Sequence, residues 1–369
     1  MKAEDIKRIG ISTGGGDAPG LNAVIRGAVI AAINKGWEVY GIRDGYNGLL
    51  FPERFPEGGL VKLDEKAVSG ITHLGGTIIG TTNKGDPLHF PIKDKDGNWT
   101  EIDRTPEIVE ACKRKQLDAV IAVGGDGSLA IASRLAEQGL CVIGVPKTID
   151  NDLEKTVITF GFDTAISFAT EAIDRLHSTA AAHQRIMVVE VMGRYAGWIA
   201  VECGIAGSAD VILIPEIEFD MDIVAEKLLE REKRGKTHSI VVVAEGAKPK
   251  GGEHSVVSNE LGRKEVLRGM GEHVAACISE KTNKDTRTVV LGHLLRGGTP
   301  TAFDRLLSLR FGAAAVRALA TDHESVMVAL DPPAVNYVPL KDATSRMKAV
   351  PLDCDVMLTG RELGICFGD

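Results

Sequence analysis

The sequence predicts an α/β protein with two doubly wound lobes. The chain has 369 residues, about two domains at roughly 100–200 residues each. Short β-branched runs alternate along it with longer amphipathic or small-residue segments, a pattern typical of parallel sheets covered by helices on both faces. We therefore expect two Rossmann-like lobes with mainly parallel sheets and a cleft between them.

The strands are predicted from short apolar runs that are rich in β-branched residues. These runs are residues 9–12, 38–42, 119–123, 142–145, 187–191, 211–214, 239–244 and 288–291. Gly36 is predicted to close a helix that begins near Leu21, and Asp163 is predicted to cap a helix that continues to about Thr179. Residues 83–104 are polar and predict an exposed insertion.

Composition narrows the class of protein. No apolar run reaches the roughly 18 residues of a membrane span, and the first residues lack a signal-peptide pattern, so we expect a soluble cytoplasmic protein with no membrane partner. The net charge of −8 argues against nucleic acid as a partner. No CxxC pair appears, so neither a disulfide framework nor a zinc site is indicated, and the cysteines are interpreted as small core residues.

Ligands of open α/β sheets bind beyond the carboxyl ends of the strands. That rule selects the loops that directly follow four predicted strands. They are residues 13–20, 124–128, 146–152 and 192–197.

The first of these loops contains Gly14, Gly15 and Gly16, followed by Asp17. Without side chains, its backbone N–H groups could approach an anion at the start of the next helix. A tight strand-to-helix turn explains the same glycines equally well. The spacing is not that of a P-loop, so a P-loop ATPase is disfavoured.

The second loop places Asp126 among three glycines at the end of a strand. One carboxylate near a phosphate is a common way to hold Mg²⁺, because this ion keeps several waters and takes few protein ligands. The alternative is that Asp126 caps the following helix.

The third loop, PKTIDND, carries Asp150 and Asp152 two residues apart. One carboxylate could accept a proton from a hydroxyl nucleophile while the other supports a metal or the loop. A plain turn does not require this arrangement, although it remains the structural alternative.

Six segments together resemble the phosphofructokinase family, in the family's order and spacing, over about Ile9 to Arg305. They are GGGDAPG (14–20), GGDGS (124–128), PKTIDND (146–152), HQR (183–185), EVMGR (190–194) and GHLLRGG (292–298). The resemblance implies transfer of the γ-phosphoryl group of ATP to the 1-hydroxyl of D-fructose 6-phosphate, which gives fructose 1,6-bisphosphate and ADP, a step of glycolysis.

The resemblance also implies roles for single residues. Asp150 matches the general base, Asp126 matches the ligand of Mg²⁺, and Arg194 with Thr148 completes the catalytic group. The positions that match contacts to ATP and its phosphates are Gly15, Gly16, Tyr46, Gly125, Asp126, Gly127, Ser128 and Lys147. Those that match contacts to fructose 6-phosphate are Thr148, Asp150, Arg185, Met192, Gly193, Arg194, Glu245, Arg287, His293 and Arg296.

The family further implies how the chain is divided and assembled. The donor-binding lobe would cover residues 1–161 plus about 295–350, and the fructose 6-phosphate-binding lobe 162–294 plus about 351–369. Arg185 and Arg287 match residues that reach into the site of a neighbouring subunit, which implies a homodimer or homotetramer. Arg26 and Lys236 match effector-binding positions, but Ile30 and His177 replace arginines of the regulated bacterial enzymes, so control by ADP or phosphoenolpyruvate should be weak or absent.

The donor is predicted from Gly127 and Lys147. Pyrophosphate-dependent members typically have Asp and Lys at these positions, and ATP-dependent bacterial members have Gly at both. Gly127 leaves space for the α-phosphate of ATP, whereas Lys147 can pair with the terminal phosphates of either donor. We predict an ATP-dependent enzyme, with a pyrophosphate-dependent phosphofructokinase as the alternative.

Two further alternatives are weaker. NAD kinases and lipid kinases share GGDG but lack the PKTIDND, EVMGR and GHLLRGG segments. A sugar-phosphate sensor without catalysis would not need Asp126, Asp150 and Arg194, all of which are present. Residues 80–84 differ from the ATP-dependent bacterial pattern, in which Arg and an aromatic residue follow the glycine.

Overall fold

A computed structural model of the chain describes residues 2–95, 97–252, 256–258, 266–267 and 269–369. The first part of the chain forms, in order, β1 (Arg8–Thr13), α1 (Leu21–Ile33), β2 (Glu38–Ile42), α2 (Asn47–Leu50), β3 (Leu60–Lys62), β4 (Phe90–Lys93), β5 (Trp99–Ile102), α3 (Thr105–Arg114), β6 (Ala119–Gly124), α4 (Asp126–Glu137) and β7 (Cys141–Pro146).

The middle of the chain begins with a long helix and ends with a strand. Its elements are α5 (Phe162–His183), β8 (Ile186–Val191), α6 (Trp198–Ala206), β9 (Val211–Leu213), β10 (Glu218–Phe219), α7 (Met221–Lys233), β11 (Ser239–Ala244), β12 (Lys248–Pro249), β13 (Val256–Ser258), β14 (Val266–Leu267), α8 (Met270–Thr282) and β15 (Thr286–Val290). After a 3₁₀ turn at Gly292–Arg296 come α9 (Ala302–Leu319), β16 (Val326–Asp331), β17 (Ala334–Pro339), α10 (Leu340–Ala343) and α11 (Asp355–Glu362).

The described strands form two main sheets, as the α/β prediction requires. The larger has the order β17-β16-β7-β6-β1-β2-β3, with parallel pairing except at its two edge strands, and the smaller is the parallel sheet β15-β8-β11-β9. Central strands such as β6 and β11 are buried along their whole length. Burial on both faces explains why they read as continuous apolar runs and not as alternating ones.

Helices cover both faces of each sheet. Apolar residues of α1 and α9 pack on one face of the larger sheet, and those of α3, α4 and α10 pack on the other. On the smaller sheet, α5, α6 and α11 cover one face and α7 and α8 the other. The carboxyl-terminal residues 355–367 therefore contribute to the core of the smaller sheet.

Each predicted strand is present, and the helix from Leu21 begins where expected. That helix ends at Ile33, and Gly36, at φ +81°, closes the turn that follows. The prediction of Asp163 as a helix cap is wrong, since Gly161 occupies the cap position of α5 in the left-handed conformation. The left-handed conformation of Gly161 lets the helix begin before Asp163. The carboxylate of Asp163 instead accepts a hydrogen bond from Thr301 Oγ1 at 2.5 Å.

The insertion and the cysteines follow the predictions in part. Residues 83–104 contain the antiparallel hairpin of β4 and β5, and all of β5 is exposed. The interpretation of the cysteines as core residues holds for Cys112, Cys141 and Cys203, which are buried, and in part for Cys354 and Cys366, which are half-buried and pack against the core of the smaller sheet. Cys277 is half-buried and belongs to neither core cluster of that sheet. Within the described parts of the chain, no helix is long and apolar enough to cross a membrane.

Helices α1 and α9 approach each other closely because glycine occupies the crossing point on both. A Cβ on Gly312 of α9 would lie 2.3 Å from the carbonyl oxygen of Val24 and 2.8 Å from the nitrogen of Ala28. A Cβ on Gly27 of α1 would lie 2.7 Å from the carbonyl oxygen of Leu309. All of these neighbours are backbone atoms, so a side chain at either position would force the helices apart.

We predict that Gly312→Ala destabilises the protein, although alanine is intrinsically the better helix former. Overpacking of this kind costs about 1–3 kcal/mol in the free energy of unfolding, which denaturant titration measures. Gly127→Ala in α4 is the matched control, because among the described atoms none lies within 4 Å of the added Cβ. That substitution should leave stability unchanged or raise it by up to about 1 kcal/mol. Equal stability of Gly312→Ala and the wild type would contradict the packing argument.

Candidate functional site

The glycine loop after β1 is held by backbone hydrogen bonds on both sides. Gly14 N donates to the carbonyl of Val123 at 2.9 Å, and Gly15 N donates to the carbonyl of Thr82 at 2.9 Å. Thr81 Oγ1 returns a bond to the carbonyl of Gly15 at 2.7 Å. The loop is therefore fixed between the end of β6 and the segment around residue 81.

The glycines form a cradle that side chains would fill. A Cβ on Gly14 would lie 2.7 Å from Ser128 Oγ, and one on Gly16 would lie 2.8 Å from Arg296 Nη1. Gly15 has φ +77°, a conformation that glycine adopts without strain, and its Cβ position lies 3.5 Å from Lys147 Nζ. The rim of the cradle thus carries a hydroxyl, an ammonium and a guanidinium, donors suited to phosphate oxygens.

Asp126 begins α4 and is exposed next to this cradle, with Gly125 at the helix cap position. No group of three or more His, Cys, Asp or Glu side chains within the described ranges could hold a metal by itself. Mg²⁺ usually takes one or two carboxylates together with phosphate oxygens and water. One exposed carboxylate beside an anion cradle fits this mode of binding, since the ion would bind together with the phosphates of the donor.

Lys147 connects the first and third loops from a buried position. Its side chain is 3% exposed, its Nζ donates to the carbonyl of Gly16, and its backbone N donates to the carbonyl of Gly124 at 2.9 Å. Burial, reinforced by the neighbouring guanidinium of Arg296, lowers the pKa of the Lys147 ammonium to about 8. A nearby anion would stabilise the charged form of this lysine.

Asp150 follows β7 and carries a buried atom without a partner. Its backbone N donates to Thr148 Oγ1 at 3.1 Å, whereas its Oδ1 has no hydrogen-bond partner among the described residues. Burial and the charge of Asp152 raise the pKa of the Asp150 carboxyl to about 6, although the cations of Arg296, Arg194 and Lys147 oppose the shift. A carboxylate that is ionised at neutral pH and open to a new donor can act as a general base.

The smaller sheet supplies the opposite side of the cleft. Arg194 follows β8, and its Nη1 is buried without a hydrogen-bond partner in the described parts of the chain. Glu245 follows β11, and burial together with the nearby Asp150 raises the pKa of its carboxyl to about 7. The mutual influence of Asp150, Arg194 and Glu245 means that the structure brings these predicted site residues together.

Close backbone packing holds the two loops of the smaller sheet together. Gly246 N donates to the carbonyl of Gly193 at 3.2 Å, and a Cβ on Gly246 would lie 1.8 Å from the carbonyl oxygen of Arg194. Met192 is 9% exposed, and its side chain packs in the hydrophobic core of the smaller sheet. The loop that carries Arg194 is therefore held by the packing of Met192 in the core and by the backbone contact with Gly246.

The 3₁₀ turn after β15 carries two further predicted site residues, Arg296 and His293. Arg296 reaches the larger sheet, where its Nη1 donates to the carbonyl of Asp17 at 3.2 Å. His293 lies on the same turn and is exposed.

Arg185 and Arg287 lie at the other end of the smaller sheet. Arg185 directly precedes β8, and Arg287 pairs with Met187 near the start of that strand. Both guanidinium groups contact the carboxylate of Asp285, at 3.1 Å and 2.5 Å. About five residues of strand, or roughly 17 Å, separate them from the carboxyl edge, so within one chain they do not join the predicted sugar-phosphate site.

Tyr46 is buried and does not lie at the surface. It precedes α2, is 7% exposed and packs with Leu49 and Cys112 in the core of the larger sheet. Its predicted contact with a nucleotide stays a prediction.

The weak effector control predicted from Arg26 and His177 also stays a prediction. Arg26 donates to the carbonyl of Val68 at 2.7 Å, and His177 contacts the carbonyl of Gly207 at 2.7 Å.

Two residues that support the site were not predicted from the sequence. Lys348 bonds to the third loop, and Glu216 accepts hydrogen bonds from the backbone N of Gly197 and of Val350. A single Lys or Glu outside any motif gives no signal in a sequence. Only the folded chain shows that residues nearly 200 positions apart meet.

Known proteins are similar to this chain over nearly its whole length. A family profile described as Phosphofructokinase matches residues 8–319. The ATP-dependent 6-phosphofructokinase of Chloroflexus aurantiacus is 50% identical over 363 residues, 98% of this chain and 98% of that protein. ATP-dependent 6-phosphofructokinase 1 of a Nostoc species is 46% identical over 364 residues, 98% of this chain and 99% of that protein.

A solved structure agrees with these sequence relatives. The crystal structure of Pichia pastoris phosphofructokinase in the T-state has a TM-score of 0.77 and 31% sequence identity. The match covers 92% of this chain and 35% of that longer one. The fold, the matched profile and the identity to whole relatives agree, and this chain belongs to the phosphofructokinase family.

Proposed function

We propose that this protein is an ATP-dependent 6-phosphofructokinase that converts D-fructose 6-phosphate and ATP into fructose 1,6-bisphosphate and ADP. Relatives that are 45–50% identical over almost the full chain carry that name. The observation that carries the proposal is the buried, unpartnered Oδ1 of Asp150 beside an anion cradle. The proposal includes Mg²⁺ as cofactor and a cytoplasmic location, with neither membrane nor nucleic acid as a partner.

Asp150 acts as the general base in this proposal. Its Oδ1 accepts the proton of the sugar 1-hydroxyl as that oxygen attacks the γ-phosphorus, and the bond from phosphorus to the ADP oxygen breaks. Phosphoryl transfer passes through a loose transition state, so most of the catalysis comes from positioning and from cationic donors. Arg194, whose Nη1 is buried without a partner in the described structure, and the Gly16 backbone supply such donors, with Thr148 Oγ1 beside them. The predicted donor role of the Gly15 N–H does not fit, because that group is bonded to the carbonyl of Thr82.

The larger-sheet lobe binds the donor, and the smaller-sheet lobe binds the sugar phosphate. Ser128, Lys147 and the backbone of Gly16 contact the donor phosphates. When bound through Asp126, Mg²⁺ supplies positive charge to the phosphate oxygens. Met192, Gly193 and Glu245 contact the fructose ring, while His293 and Arg296 contact its 6-phosphate.

ATP is the proposed donor because position 127 leaves space for a nucleotide. None of the described atoms lies within 4 Å of a Cβ built on Gly127, which is compatible with an α-phosphate at that place. Lys147, buried and bonded to Gly16, is available to the terminal phosphates of ATP or of pyrophosphate. Pyrophosphate therefore remains the alternative donor that an assay must compare with ATP.

The proposed active unit is a homodimer or homotetramer. Arg185 and Arg287 lie far from the cleft of their own chain, which supports a contribution of both to the 6-phosphate site of a neighbouring subunit. In this structure both arginines pair with the exposed carboxylate of Asp285. A phosphate could replace that carboxylate, because the guanidinium fork binds either group.

We predict that kcat/KM of the wild type falls as the pH decreases through about 6. The base works only when ionised, and the raised pKa of Asp150 moves its protonation to about 6 from the ordinary 3.8. Asp150→Ser should lose about 10²–10⁴-fold in kcat and should lose this acid limb, with little change in fructose 6-phosphate affinity. Steady-state kinetics between pH 5 and pH 9 measures both, with the exposed Glu110→Gln as control. Near wild-type turnover in Asp150→Ser would exclude it as the base.

We predict that two inactive variants restore activity when they share an oligomer. Asp150→Ser lacks the base, and Arg287→Ala lacks the phosphate anchor that is proposed to act in the neighbouring site. A hybrid contains one site in which both residues are intact, so mixing under conditions that exchange subunits should recover part of the activity. If hybrids form, as differently tagged subunits would show, and no activity returns, Arg287 does not act across the interface.

We predict that Gly127→Asp selectively removes the use of ATP. The added carboxylate would occupy the space of the α-phosphate and repel its charge, while the open surroundings let the variant fold. Measurements of kcat/KM with ATP and with pyrophosphate, in the wild type and in Gly127→Asp, test this. Gly127→Ala is the control and should retain ATP use. Efficient use of pyrophosphate by the wild type, with ATP inert, would overturn the proposed donor.

A further inference from the structure

Residues 346–350, here called the C-terminal strap, run between the loop that carries Asp150 and the start of α6. Lys348 N donates to the carbonyl of Asp152 at 2.9 Å, and Trp198 Nε1 donates to the carbonyl of Lys348 at 2.9 Å. Val350 N donates to Glu216 Oε1 at 2.8 Å, and Glu216 also accepts from Gly197 N. The strap therefore joins the Asp150 loop of the larger sheet to the segment that follows Arg194.

The ammonium of Lys348 has an acceptor for each of its three N–H groups. These acceptors are Asn151 Oδ1 at 2.9 Å, the carbonyl of Thr156 at 3.0 Å and the carbonyl of Val157 at 2.9 Å. Burial lowers the pKa of Lys348 to about 8, while the nearby carboxylates of Glu154 and Asp152 favour its charged form. Through these three hydrogen bonds, Lys348 holds both ends of residues 151–157, at Asn151 and at Thr156 and Val157.

Asn151 is the residue that transmits this contact, because it is the direct neighbour of Asp150. Its φ of +50° lies in the left-handed region, which Asn tolerates but does not prefer. Its side chain keeps it there, since Oδ1 accepts from Thr159 N at 3.2 Å as well as from Lys348 Nζ at 2.9 Å. The direction in which the chain leaves Asp150 thus depends on a contact made from 197 residues away.

We propose that Lys348 is a positioning residue that holds the base Asp150 in register with Arg194 through Asn151 and the C-terminal strap. It touches neither substrate and acts on the position of the loop. The inference rests on the proposed phosphofructokinase function, in which proton removal by Asp150 and charge stabilisation by Arg194 must occur on one bound sugar. A shift of about 1 Å in such a group can cost roughly 10²-fold in rate.

The kinetic test compares Lys348→Met, Lys348→Arg and the control Lys341→Met, which removes an exposed lysine on α10. Lys348→Met keeps an apolar stem but no donor, and we expect kcat to fall by about 10–100-fold with the KM for fructose 6-phosphate changed less than about threefold. Lys348→Arg keeps the charge, but a planar fork cannot match three separate acceptors, so it should restore only part of kcat. Lys341→Met should equal the wild type.

A double-mutant cycle tests the route through Asn151. Asn151→Gly tolerates the positive φ and removes Oδ1. If Lys348 acts through Asn151, the double variant should have about the same kcat as the more impaired single variant. Independent effects would multiply, and multiplication would overturn the proposed route. The cycle runs equally well with Lys348→Arg if Lys348→Met does not fold.

Amide hydrogen exchange of residues 148–157 gives a readout that does not need activity. We expect faster exchange there in Lys348→Met than in Lys341→Met, with the two variants equal elsewhere in the larger sheet. Equal exchange in this segment, or unchanged kcat per folded molecule, would overturn the positioning role. A wild type that phosphorylates fructose 6-phosphate with neither ATP nor pyrophosphate would instead overturn the proposed function, and the exchange result would still decide whether Lys348 orders the loop.

Discussion

The charge balance of the cleft depends on the electrostatic interaction of the Arg296 guanidinium with Lys147, Asp150 and Glu245. The guanidinium extends from the smaller sheet to the glycine loop of the larger one and donates to the carbonyl of Asp17. From there it lowers the pKa of Lys147 by repulsion and opposes the rise in the pKa of Asp150 and of Glu245. One cation thus keeps two half-buried carboxyls closer to their ionised forms, and its repulsion of the Lys147 ammonium would be relieved by a bound anion.

Parallel pairing explains why these groups can meet. All strands of a parallel sheet end at the same edge, and in this chain the carboxyl edges of both sheets contribute to the cleft. Groups left without partners there carry an energetic cost, since a buried unsatisfied polar atom costs about 1–3 kcal/mol. Within the described structure, Asp150 Oδ1 and Arg194 Nη1 are such atoms. A protein shaped only by stability would have paired them, whereas a ligand-binding cleft keeps them for the ligand.

The two sheets are joined by helices that cap each other. Asp304 of α9 is fully buried and accepts from Thr164 N at 2.8 Å and from Thr164 Oγ1 at 2.6 Å, at the start of α5. In return, the backbone N of Thr301 at the start of α9 donates to Thr164 Oγ1 of α5 at 3.1 Å. Because these caps satisfy backbone donors that would otherwise be orphaned, they fix how α5 and α9 leave their sheets. The contact between α5 and α9 therefore helps to fix the position of one sheet relative to the other, and with it the shape of the cleft.

The sequence by itself determined the α/β class, the strands and the loops that carry chemistry, because burial on both faces and glycine-rich strand ends leave local signatures. It also indicated Asp126, Asp150 and Arg194, whose neighbours in the chain form recognisable motifs. It misassigned the cap of α5, since Gly161 and the distant Asp304 outcompete Asp163, and it gave no sign of Lys348 or Glu216. The tertiary structure alone decided the opposite placement of Arg185 and Arg287, the buried position of Tyr46 and the C-terminal strap. These features depend on contacts between residues far apart in the chain, and such contacts exist only once the two sheets have packed.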